Sequence, residues 1–213
     1  MEYCTDVSVW RYGSCLSLEF PGGAELDTDE VEFSGERRLR KDYEKWARFL
    51  RLCHPPELIF VEGAAGAGGI FAEDVIVVGI DDAEDIAEKV WRRDPPAVRG
   101  LIRSIAKLNT FSVEAAFSWL ALAVVRRIVK HELGHAARYD RRRSTPYPDD
   151  EEAAADFIAG ELAELAGENE ELGVRIFFEI GCEGPHCEHP GPIGRVEAYR
   201  AGRDAVRHWR SRR

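Results

Sequence analysis

The sequence predicts an α+β fold, with a small β-sheet near the N-terminus and a mostly helical C-terminal half. Short apolar segments bounded by Gly and Pro lie before residue 80, which is typical of strands. After that point apolar residues recur every three or four positions, which is typical of amphipathic helices. We divide the chain into an N-terminal α+β region, 1–110, and a helical region, 111–213, and expect them to form one compact unit.

The first strands are predicted as a hairpin. Residues 7–12 and 15–20 alternate in part between apolar and polar side chains, and Gly13-Ser14 separates them as a turn would. A third short strand is expected at residues 30–34.

Two stronger strand candidates, 58–61 and 75–78, flank the glycine-rich segment 63–69. This segment contains no Gly-Lys-Ser/Thr, and no helix opens directly after its glycines, so a nucleotide-binding loop is disfavoured. We interpret it as a connection within a sheet.

Helices are predicted from apolar spacing and from Pro or Gly at the boundaries. In the N-terminal region they span residues 36–52, a short segment opening at Asp81 and closed by Pro95, and residues 97–108. In the helical region they span about 152–166, 170–180 and 193–209, in addition to a long helix for which Ser112 is the predicted N-cap.

Composition, charge and the length of apolar runs argue against several classes of protein. The chain has 213 residues, 45% of them hydrophobic, and a net charge of −10, which disfavours a nucleic-acid binder. The longest apolar run, 115–125, is too short to span a membrane, and the N-terminus has no signal-peptide pattern. Five cysteines without an export signal are typical of reduced thiols, so we expect a cytoplasmic protein.

The long helix carries the sequence His-Glu-x-x-His. Its apolar stripe continues onto His131 and His135, so both imidazoles leave the same inward face one turn apart. This is the geometry that holds one Zn²⁺ through two neutral nitrogens, and Glu132 lies beside it, where it can deprotonate a metal-activated water. The alternative is two core histidines and a surface Glu.

A second acidic pair follows in the next predicted helix. Glu152 and Asp156 are four residues apart and therefore share a helix face. They can supply a third zinc ligand and a carboxylate that orients a ligand histidine. The alternative is an acidic helix start followed by an Ala-rich helix.

Together these two helices resemble the signature of the gluzincin metallopeptidases, in which His-Glu-x-x-His is followed by Glu-x-x-Ala-Asp. The resemblance implies His131, His135 and Glu152 as zinc ligands, Glu132 as the general base and Asp156 as the partner of a ligand histidine. It also implies a gluzincin-like fold, with the sheet packed beside the zinc helix. Small soluble branches of similar size include the Lit-type and ImmA/IrrE-type peptidases.

A weaker resemblance covers residues 186–197. The His-Pro pair at His189, followed by Arg195, is similar to an element of the CAAX-protease and heat-shock membrane-protease branch. It indicates His189 and Arg195 as further catalytic residues. Either of them is a candidate to hold the developing oxyanion beside the zinc.

We therefore expect a zinc metalloendopeptidase, a hydrolase that acts on protein or peptide substrates with Zn²⁺ as its cofactor. We expect it to bind no nucleic acid and to have no membrane span. We expect substrate to lie extended along 75–78 as an edge strand, against the competing interpretation that this strand is central in the sheet and paired on both sides. The alternative is a zinc-binding regulatory or defence-related module on the same scaffold with little proteolytic activity.

A second cluster offers a different use of metal. Cys182, His186, Cys187 and His189 lie close together in sequence and can supply ligands to a structural zinc. Their spacing is wider than the Cys-x-x-Cys pairs usual in such sites, and a solvent-facing Gly/Pro-rich loop is the alternative.

Overall fold

The structure, a computed structural model, describes residues 8–20, 24–63, 68–72, 74–106, 112–139, 144–180 and 191–212. Within these ranges the fold is α+β, as predicted, with two small sheets followed by a mostly helical remainder. The strands are β1 (Ser8–Tyr12), β2 (Cys15–Phe20), β3 (Ala24–Asp29), β4 (Glu57–Val61), β5 (Gly69–Ala72) and β6 (Val75–Gly79). The helices are α1 (Glu36–Leu50), α2 (Ile80–Arg93), α3 (Pro95–Ala106), α4 (Val113–Tyr139), α5 (Glu151–Leu165), α6 (Glu170–Ile180) and α7 (Pro192–Ser211).

The first sheet is the antiparallel meander β1-β2-β3, which confirms the predicted hairpin. Its third strand is not at residues 30–34, where the sequence predicted it. Ala24–Asp29 forms β3 instead, and Glu30 makes only an isolated bridge to Val61. The acidic residues of β3 face solvent while Leu26 and Thr28 turn inward, so backbone pairing with β2 outweighs its poor strand propensity.

The second sheet has the order β4-β6-β5, with β6 parallel to β4 and antiparallel to β5. The prediction of residues 75–78 as an edge strand is therefore wrong, because β6 is paired on both sides. The glycine-rich connection ends in a strand of its own, β5, and this strand forms the edge. The other edge is closed where the Val31 amide donates to the Phe60 carbonyl at 2.9 Å.

The second sheet lies between the first sheet and the helices. Ile59, Val61 and Val77 pack with Leu16 and Leu18 of the first sheet. Alternate residues on the same strands point the other way and join the helical core, among them Phe60, Ile76 and Val78. This two-residue period explains why the strands appear as continuous apolar runs in the sequence, since both faces are buried.

Helix α4 passes through the centre of the molecule and is buried on most sides. Its first turn is capped as predicted, because Ser112 Oγ accepts from the Ala115 amide at 3.1 Å. None of the helices in the described ranges is long and apolar enough to cross a membrane.

Small residues allow α4, α5 and α7 to approach closely. A Cβ added at Gly134 of α4 would lie 2.7 Å from Cα of Ala155 in α5, and one at Gly202 of α7 would overlap the Phe157 carbonyl of α5. Both crossings are therefore at backbone contact distance. They hold α5 between α4 and α7, which brings side chains from three separate parts of the sequence together.

Candidate metal centre

Three of the predicted ligands meet at the crossing of α4 and α5. Nε2 of His135 is 3.1 Å from Nε2 of His131, and the two Glu152 oxygens lie 3.2 and 3.3 Å from these nitrogens. Ligands of a tetrahedral Zn²⁺ at about 2.0–2.1 Å from the ion lie about 3.3–3.4 Å apart. The donor atoms therefore have both the chemistry and the spacing to hold a metal ion.

Local helix signals position Glu152. Asp150 is the N-cap of α5, and its Oδ1 accepts from the Ala153 amide at 2.9 Å. Glu152 therefore lies in the first turn, where the helix dipole favours a carboxylate. The close contact of Gly134 with Ala155 then keeps this turn against the two histidines of α4.

Asp156 lies one turn further along α5 and is completely buried. Its Oδ1 is 2.8 Å from Nδ1 of His131. An ionised carboxylate only accepts hydrogen bonds, so this contact places a proton on Nδ1 of His131. Nε2 is then the nitrogen that can bind a metal once it has lost its own proton. The structure thus brings Asp156 to the position expected for a partner of a ligand histidine.

Arg195, near the start of α7, binds the same carboxylate. Its Nε donates to Asp156 Oδ2 at 2.9 Å, and the same guanidinium donates to Oδ1 at 2.8 Å. The side chain is 2% exposed, so this pair lies inside the protein. The sequence predicted that Arg195 would hold an oxyanion, and it did not predict this pairing with Asp156. The guanidinium also comes within 4.0 Å of Glu152.

Glu132 is buried beside the three donors but is not one of them. Among the described residues, none donates a hydrogen bond to its carboxylate. A Cβ added at Gly69, the first residue of β5, would lie 3.1 Å from Glu132 Oε1. The structure therefore places Glu132 between the donors and the edge strand, a contact that helical periodicity alone does not reveal.

The charges around His131 favour its protonated form when no metal is bound. Burial and the Arg195 cation oppose protonation, but the Asp156 carboxylate and the hydrogen bonds to Asp156 and Glu152 outweigh them and raise the pKa of His131 to about 10. Burial alone would raise the pKa of Asp156, yet Arg195 and His131 lower it below its ordinary value. The pair is therefore ionic in the metal-free protein.

His189 lies outside the described residues, as do Cys182, His186 and Cys187, so the second predicted cluster remains a prediction.

No protein-family model matches the chain, and comparison with curated proteins and with solved structures finds no match. The assignment of this centre rests on its own geometry.

The two carboxylates of α5 are expected to differ in their effect on metal binding. Glu152→Ala removes one of three donors and should largely abolish binding of Zn²⁺. Asp156→Ala leaves the donors in place and should weaken affinity by about 10–100-fold. Zinc affinity is measured with a competing chelator, and Glu151→Ala, one position away, is the matched control. Loss of zinc in Glu151→Ala but not in Glu152→Ala would contradict the assignment.

The metal-free protein should lose stability as the pH rises. The pKa of His131 is raised from 6.5 to about 10 on folding, so the stability it contributes is complete below pH 6.5 and disappears as pH approaches 10. Urea unfolding with a chelator present, at several pH values in this range, should show a steeper loss for the wild type than for His131→Gln. Glutamine keeps a donor toward Asp156 but does not titrate, so parallel curves would contradict this origin of the dependence.

Proposed function

We propose that this protein is a zinc-dependent metallopeptidase in which Glu132 is the general base. The observation that carries the proposal is the Glu132 carboxylate, which is buried beside His131, His135 and Glu152 and receives no hydrogen bond from the described residues. A carboxylate in that position is free to accept a proton from a reactant.

Zinc is proposed because of the donor set. Two imidazoles and one carboxylate are a common set of protein ligands in catalytic zinc sites, which keep a fourth position for water or substrate. When bound, Zn²⁺ supplies a Lewis acid and lowers the pKa of a water molecule toward neutrality.

Three residues of the chain have separate roles in the proposed reaction. Glu132 takes a proton from the attacking water and later delivers it to the leaving amine. Asp156 holds the proton of His131 on Nδ1, so that Nε2 stays available as a ligand. Arg195 holds Asp156 in place through two hydrogen bonds. In this proposal Arg195 acts by positioning Asp156, and its predicted contact with an oxyanion stays a prediction.

The edge strand β5 supports a peptide as the substrate. An extended peptide adds to an exposed sheet edge through main-chain hydrogen bonds, and pockets beside the edge select its side chains. Gly69 at the start of β5 lies against Glu132. Phe71 of the same strand is 6.2 Å, ring to ring, from Tyr139, which is largely exposed at the end of α4. A peptide beside β5 would thus lie near the base and an aromatic surface.

Replacing the base should separate metal binding from hydrolysis. Glu132→Gln is expected to keep zinc and to lower the rate of peptide cleavage by about 10²–10⁴-fold, because only the proton acceptor is lost. Cleavage is followed by mass spectrometry of a peptide library, and Glu114→Gln at the exposed start of the same helix is the control. A wild-type protein that binds zinc and cleaves no peptide would instead support the regulatory-module alternative.

A methyl group added to β5 should disturb the edge of the second sheet next to Glu132, the proposed general base. In Gly69→Ala the new Cβ would overlap Ile128 and lie 3.1 Å from Glu132 Oε1, so either the strand or the carboxylate must move. We expect kcat/KM to fall at least tenfold while zinc affinity is unchanged. Gly63→Ala is the matched control, since its Cβ would have no neighbour within 4 Å among the residues that the structure describes. Equal activity of the two variants, both folded by their thermal midpoints, would count against β5 as the substrate edge.

A further inference from the structure

A cavity of about 220 Å³ lies on a different part of α4 from the metal centre. It is partly open to solvent and is lined by the start of α1, the end of α3, the first half of α4 and the segment from the end of α5 to the start of α6. The described residues that line it do not include His131, His135, Glu152 or Arg195. The cavity is therefore separate from the proposed peptidase site.

One wall of the cavity is apolar and includes an aromatic ring. The side chains that form it are Leu39, Ile105, Trp119, Leu122 and Leu172. An apolar cavity of about 150 Å³ holds benzene. A cavity of about 220 Å³ therefore has room for one ring with a short substituent.

Part of the lining is cationic, and we refer to it as the arginine wall. Arg38, Arg126 and Arg127 line it, and Glu168 is its one acidic residue among those described. Glu168 already accepts from Arg126 at 2.9 and 3.0 Å, and it is also paired with Arg127 and with Lys130 behind the wall. Glu168 therefore pairs with two arginines and with Lys130, and burial together with those arginines lowers the pKa of Lys130 well below its ordinary value.

The cations outnumber the carboxylates around this wall. Asp42 also pairs with Arg126, at 2.8 Å. Arg38, an exposed residue of the cavity lining, forms no ion pair with any described residue. The Nε of buried Arg127 likewise has no hydrogen-bond partner in the described part of the chain. In a chain of net charge −10, this is a local site of positive charge.

Arg127 is buried, and burial is the main cause that lowers its pKa. Tyr199 opposes this shift, while the Arg126 and Arg203 cations add to it. A low-dielectric site with unbalanced cations attracts an anion more strongly than an exposed surface does.

We propose that this cavity binds a small organic anion, consisting of one apolar ring or a short chain that carries a carboxylate or phosphate. The apolar part packs against Trp119 and Leu172, and the anionic group lies beside Arg38, Arg126 and Arg127. The complementarity has two parts, because the apolar wall selects the ring and the arginine wall selects the charge.

Binding is measured by calorimetry on the full chain, so the result does not depend on any peptidase activity. Phenylacetate and phenyl phosphate are the anionic probes, and phenylacetamide is the neutral control of the same shape as phenylacetate. We expect at least one anion to bind with a Kd of about 1 mM or lower and the amide to bind at least tenfold more weakly. The comparison of the two anions distinguishes a carboxylate site from a phosphate site.

Two variants and one control test the location without removing buried charge. Arg38→Gln should weaken anion binding by about threefold to tenfold, whereas Arg37→Gln, an equal charge change at a neighbouring exposed position, should leave it unchanged. Leu122→Trp fills the cavity and should abolish binding while zinc affinity is kept.

Results of three kinds would overturn the proposal, and they concern affinity, selectivity and location. The first is that neither anion binds at millimolar concentration. The second is that the amide binds as tightly as phenylacetate, since the arginine wall would then select nothing. The third is that Arg38→Gln and Arg37→Gln have equal effects or that Leu122→Trp still binds the probe, because the anion would then lie elsewhere.

Discussion

The arrangement of the metal centre depends on the buried carboxylate of Asp156. A carboxylate without access to water is strongly unfavourable unless charged and hydrogen-bonded partners surround it. Asp156 has His131 Nδ1 on one side and the Arg195 guanidinium on the other, at 2.8–2.9 Å. These partners come from α4 and α7, while Asp156 belongs to α5. The need to satisfy one buried charge therefore links the three helices, and a shift of any of them would leave an ion unpaired inside the protein.

Much of the centre could be predicted because its residues follow the periodicity of an α-helix. His131 and His135 are four residues apart on α4, and Glu152 and Asp156 are four apart on α5, so each pair shares a face wherever its helix lies. The pairing of Arg195 with Asp156 joins residues 39 positions apart. It depends on how α7 packs on α5, and no local pattern in the sequence reports that packing.

The strands were less predictable than the helices for a related reason. Four apolar residues in β6 indicate burial on both faces, but strand order is decided by partners elsewhere in the chain. The short strand Gly69–Ala72, which the sequence did not suggest, pairs with β6 and takes the edge position. The acidic strand Ala24–Asp29 also forms through its pairing with β2. In both cases the stability of the strand comes from tertiary context rather than from its own composition.

The surroundings of Glu132 bear on the choice between a catalytic and a structural metal. A structural zinc site encloses the ion with four protein ligands and has no use for a further carboxylate. The described part of this chain supplies three donors, and beside them a buried Glu132 to which none of its residues donates a hydrogen bond. Its charge interacts with the Arg195 cation, so the carboxylate is electrostatically supported without being a ligand. A carboxylate held there can accept a proton from a reactant, and its contact with the edge strand at Gly69 lies where a peptide would bring that reactant.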